Sequence, residues 1–211
     1  MAHTGSFASR SVLRGICPAR QSCSFDCGVL CKHPRAHAPL VGGGPHSPVH
    51  FALLASIFLL REVEASIATI NSWTLDHGAR ELSWLLPSGK TDHLALGTRR
   101  TWGCLCDVPD FECPYHLAVE HLTWLRASGL VKAGGESSLF PAADAGVDSK
   151  AAVVSTFEAL GLALGQPTYS ATGIRLFGGR TPRVTGAQAL GAAGVEVNKI
   201  RILARHSGDT I

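Results

Sequence analysis

The sequence predicts a mainly α-helical domain that carries a small antiparallel three-stranded β-insert. Three observations support this. Leu53, Ile57, Leu60, Val63, Ile67 and Ile70 recur at spacings of three and four, the period of a helix face. Leu82, Trp84 and Leu86 alternate with other residues between turn-rich stretches, the period of a strand. Three later segments open on residues suited to helix starts: Pro114, Ser149, and the pair Thr181-Pro182.

The elements follow in chain order. Residues 1–48 are rich in Gly, Pro, Ser and His and include Val41-Gly42-Gly43-Gly44-Pro45. This composition reads as a poorly ordered leader and linker, which leaves 49–211 as the domain. Its start is rich in Ser and Arg and nearly free of acids up to Asp26, a trait shared with transit peptides; a plain leader is the preferred reading. The spacing from Leu53 to Ile70 predicts one amphipathic helix of about six turns, with Arg61 and Glu62 off the apolar stripe. Trp73 to Leu75 and Glu81 to Leu86, parted by Asp76-His77-Gly78, predict a hairpin. A second turn, Pro87-Ser88-Gly89-Lys90-Thr91-Asp92, leads to a third strand within Leu94 to Cys106. A helix is expected from Pro114 towards Gly129, a loop over Glu136 to Asp148, and a helix capped by Ser149. Thr181-Pro182-Arg183 opens the next helix, Gly194 breaks it, and Val197 to Leu203 continues as a shorter one.

Bulk properties narrow the function classes. The 211 residues suffice for one medium domain with a real core, and 45% of them are apolar. A net charge of +3 does not by itself select a polyanion partner; an anion site would need locally gathered arginine and lysine. The longest apolar run, Phe51 to Leu60, is too short to span a bilayer as a helix, so no membrane partner is expected. Seven cysteines fit reduced thiols of an intracellular protein, the nucleus among its candidate compartments, better than a disulfide scaffold.

A metal-free site that breaks phosphodiesters needs particular groups. Guanidinium forks clamp the charged phosphate with paired hydrogen bonds. A lysine can deliver a proton to the leaving oxygen, and a histidine can add a further donor. Arg61, Lys90, Arg183 and His206 supply these types in order. The stretch Arg180-Thr181-Pro182-Arg183-Val184-Thr185-Gly186-Ala187, then Ala193-Gly194-Val195, then Leu203-Ala204-Arg205-His206 resembles the second-arginine motif of the tyrosine recombinases, or phage-integrase family. Leu59-Leu60-Arg61-Glu62-Val63-Glu64 is similar to the family's first-arginine segment, with its acidic residue at Glu64, and Lys90 matches the family lysine between strands. The resemblance covers about residues 50 to 211 and is strongest over 180–208.

The resemblance implies a tyrosine-recombinase catalytic-domain-like fold, DNA as partner, copies that can assemble on DNA, and a role in recombination or integration, with descent from a mobile element. It implies that Arg61 and Arg183 hold the phosphate, Lys90 protonates the 5′-oxygen and His206 hydrogen-bonds the phosphate. No cofactor is implied. Two positions depart from the pattern. The family histidine three residues before the second arginine is Arg180 here, which can bind phosphate but cannot accept a proton. The family tyrosine follows the position of His206, whereas Tyr115 and Tyr169 both precede Arg183. The expectation is therefore a truncated domain, inactive in strand cleavage, that keeps a phosphate clamp of Arg61, Arg180 and Arg183.

Two rival readings stand beside it. One is a non-enzymatic DNA-binding module with the same clamp. The other is a zinc-stabilised interaction protein built on Cys104, Cys106, Cys113 and His116, whose types suit tetrahedral zinc. The Cys-x-Cys start is unusual, so core cysteines beside helix-surface histidines are preferred and no metal is assigned from sequence.

Overall fold

The structure is a computed structural model that describes residues 22–86, 97–108, 111–131 and 136–204. It is mainly helical with a small antiparallel sheet, the architecture expected from sequence. The helices are α1 (Cys27–Leu30), α2 (Pro48–Ile57), α3 (Glu62–Ser66), α4 (Pro114–Ala127), α5 (Lys150–Ala163), α6 (Thr181–Ala192) and α7 (Val197–Leu203). The strands are β1 (Trp73–Asp76), β2 (Glu81–Leu86) and β3 (Thr98–Gly103), in the order β1-β2-β3. Among the described residues no helix is long and apolar enough to cross a membrane.

Helix α2 is the axis of the molecule. All ten of its residues are buried, and α4, α5 and α6 pack around it. A helix apolar on every side belongs inside a core rather than on its surface. The expected six-turn helix is therefore two helices with a break. The chain leaves α2 through Leu59, whose φ is +55°. The Leu60 amide donates to the Ala55 carbonyl at 2.8 Å and the Leu59 amide to that of Ser56 at 3.0 Å. That pair of bonds is the usual left-handed helix stop, in which glycine normally takes the place held here by Leu59. A left-handed leucine costs roughly 1–2 kcal/mol. Its side chain is buried with Leu190, Ile200 and Ala204, and that packing offsets the strain. The apolar spacing runs straight across the break, so periodicity does not reveal it.

The sheet register pairs Trp73 with Trp84 and Trp84 with Arg100. Leu82, Trp84 and Leu86 all face the core, as their alternation predicts. Ser149 caps α5 by accepting from the Ala152 amide at 3.1 Å. Gly194, at φ +82°, ends α6 with the same pair of bonds that closes α2. The loop over 136–148 has the irregular path expected, yet Leu139 and Phe140 are fully buried.

The expected leader boundary at 48 does not coincide with the packed body. Phe25 and Leu30 lie in the main core, and the Cys23 amide donates to the Leu176 carbonyl at 2.6 Å. Apolar anchors this sparse are masked by the surrounding Gly, Pro and His. Residues 1–21 lie outside the described residues.

Candidate nucleic-acid interface

Carbonyl groups at the end of a helix are unpaired within it and carry partial negative charge, so cations gather there. The end of α2 shows this. Arg100, buried on β3, donates to the Phe58 carbonyl. Arg183, in the first turn of α6 and 5% exposed, donates from Nε to the Leu59 carbonyl at 2.9 Å. Arg183 also donates from Nη2 to Glu64 Oε2 at 2.7 Å. The same oxygen accepts the Arg61 backbone amide at 2.8 Å. Glu64 thus ties the first-arginine segment to the second arginine.

Close approach of backbones makes this possible. A Cβ on Gly186 would meet the Ser56 carbonyl oxygen at 1.9 Å, so only glycine lets α6 lie this near to α2. The Gly179 carbonyl accepts the Glu62 amide at 2.9 Å, which joins the start of α3 to the chain entering α6.

The other site residues divide into two groups. Arg61 is half-buried, with its Nε buried and without a hydrogen-bond partner. Arg180 is exposed at the N-terminal end of α6, one helical turn before Arg183. Lys90 and His206 lie outside the described residues. Near His206 in sequence, Ala204 is fully buried in the apolar group that holds Leu59. Sequence reasoning missed Arg100. Its pairing opposite Trp84 places it on the inner face of the sheet.

A second group of side chains gathers where β3 meets α4. The donor atoms of Cys104, Cys106, Cys113 and His116 all lie within 4.8 Å of one another. A cleft of about 440 Å³ between β1 and α4 is lined by Trp73, Leu75, His77 and Arg126, and contains none of Arg61, Arg180 or Arg183.

No protein-family model and no curated protein sequence matches this chain. Solved structures do. One is the XerH site-specific recombinase bound to difH substrate in a pre-cleavage complex, with a TM-score of 0.58 and 15% identity over 86% of this chain. The fold is tyrosine-recombinase-like. A second match is the XerH post-cleavage complex on palindromic difH substrate, with a TM-score of 0.58 and 14% identity over 89% of this chain. The matched regions make up 45% and 47% of those recombinase chains, so this chain spans less than half their length.

Proposed function

We propose that this chain grips the DNA backbone through Arg61, Arg180 and Arg183, in a recombination or integration role. The observation that carries this reading is the meeting of the Arg61 segment and Arg183 at Glu64, within a recombinase-like fold. Buried Arg183, anchored by Leu59 and Glu64, is a pre-positioned cation. Exposed Arg180 extends the positive edge towards solvent. In this reading Lys90 and His206 complete the site, as proton donor to the leaving oxygen and as phosphate donor.

Tyr115 is buried, and its hydroxyl lies 2.8 Å from His77 Nδ1. Tyr169 is exposed and bridged through its backbone to Arg175. In this reading neither serves as nucleophile.

A salt series of duplex affinity tests the grip. Affinity should fall steeply with rising salt, and Arg180→Ala should lower the log–log slope by about one. Absence of binding at low salt would sink the proposal. A suicide substrate tests the assignment of the tyrosines: an adduct trapped on Tyr115 or Tyr169 would overturn it.

A further inference from the structure

We infer that Cys104, Cys106, Cys113 and His116 form a closed, tetrahedral Zn²⁺ site that staples the end of β3 to the first turn of α4. The distances carry the argument. Cys104 and Cys113 Sγ are 3.6 Å apart. His116 Nδ1 lies 3.1 Å from Cys106 Sγ, 3.2 Å from Cys113 Sγ and 3.9 Å from Cys104 Sγ. Zinc bonds of about 2.3 Å to sulfur and about 2.0–2.1 Å to nitrogen give tetrahedral edges of roughly 3.5–3.8 Å. Those four edges run from 3.1 to 3.9 Å and all the ligand atoms lie within 4.8 Å of one another, so a small adjustment brings them to the corners of such a tetrahedron. A disulfide would need sulfurs at about 2.05 Å.

Local structure explains how an unusual Cys-x-Cys pair serves. Successive strand residues point to opposite faces, but β3 ends at Gly103 and the chain then turns over Cys106-Asp107. Both sulfurs can thus face one point. Cys113 and His116 sit three apart across the N-terminal end of α4, on one helix face. The Leu105 amide donates to Cys113 Sγ at 3.3 Å, and the helix start adds positive potential, so both favour thiolate over thiol. Soft sulfur with one imidazole selects zinc over magnesium or calcium. Four protein ligands leave no open position, so the role is structural.

The staple has a consequence at the other end of the strand. Arg100 lies on β3 and donates to the Phe58 carbonyl. Fixing β3 against α4 holds that arginine at the end of α2. The inference does not depend on DNA binding, and its test uses no DNA.

The experiment is metal analysis of the full-length chain purified without chelators, followed by cobalt(II) titration of metal-stripped, reduced protein. We expect about one zinc per chain, and visible absorption bands of tetrahedral thiolate-bound cobalt. In Cys106→Ser, an exposed position that folding tolerates, and in Cys113→Ser, zinc should drop below about a tenth of the protein concentration. Cys27→Ser, outside the group, should keep the metal. Wild-type protein with neither zinc nor cobalt bands would overturn the site. So would bands that persist unchanged in both cluster variants.

Discussion

At the scale of single residues, Glu64 does the most. One carboxylate oxygen accepts both the Arg61 amide and the Arg183 guanidinium, and little water reaches the pair. Burying opposite charges gives little net gain, but deleting one member leaves a desolvated charge behind. Glu64→Ala should therefore lower stability by about 3 kcal/mol, and Glu64→Gln, which keeps an acceptor, by less. Urea unfolding measures both; a loss under about 1 kcal/mol for the alanine variant would mean that Glu64 is not the tie. The acid three residues after Arg61 was legible in the sequence, because the segment resembles a first-arginine motif. Its bond to a residue more than a hundred positions away in the chain depends on the fold. Arg100 was not legible, since its role needs the β2–β3 register and the end of α2 together.

At the scale of elements, the central fact is the close packing of α6 on α2. The Ser56 carbonyl belongs to a buried helix backbone and cannot move aside for a Cβ on Gly186. Gly186→Ala should force the helices apart and cost about 3 kcal/mol, despite the better helix propensity of alanine. Thermal melting gives the check: an unchanged or raised Tm would show that α6 sits farther from α2 than described. Because α6 carries Arg183, the proposed DNA grip predicts weaker DNA binding by a folded Gly186→Ala protein. Elements with strong punctuation were readable: Pro182 and Gly194 around α6, Ser149 before α5, the turn at Asp76 to Gly78. The break after α2 was not. A leucine stands where the stop signal is normally glycine, and its strain is held by contacts with Leu190, Ile200 and Ala204 from α6, α7 and the residue after it.

At the scale of the whole molecule, residues read as leader become part of a histidine-rich layer. His37 stacks on Trp124 of α4 with ring centres 4.4 Å apart, and His46 packs on the same tryptophan. Beneath them His50 of α2 and His121 of α4 are fully buried. Burial pushes the His50 imidazole down to about 4 and the His121 imidazole down to about 3. Glu120, 3.4 Å from His50 Nε2, opposes the shift at His50 without reversing it. Both folded values lie below the unfolded value of about 6.5, so unfolded chains bind more protons as the pH falls through that value. The stability these rings contribute is complete above pH 6.5 and is lost progressively as the pH falls, towards 4 for His50 and towards 3 for His121. Asp148 acts with the opposite sign. Burial, with Asp144 nearby, raises its carboxyl to about 7, so its contribution is present in acid and is lost as the pH rises from 3.8 to 7. Between pH 4.5 and 6 the two histidines outweigh the one aspartate. Stability should rise with pH by about 1 kcal/mol per unit, the weight of one net proton. Asp148→Asn removes the opposing group and should make that rise about twice as steep, with its largest gain over wild type above pH 7. Urea midpoints at several pH values decide the matter: equal slopes in the two proteins would mean that Asp148 is not held protonated in the folded state, and a falling wild-type slope would mean that the buried histidines are charged.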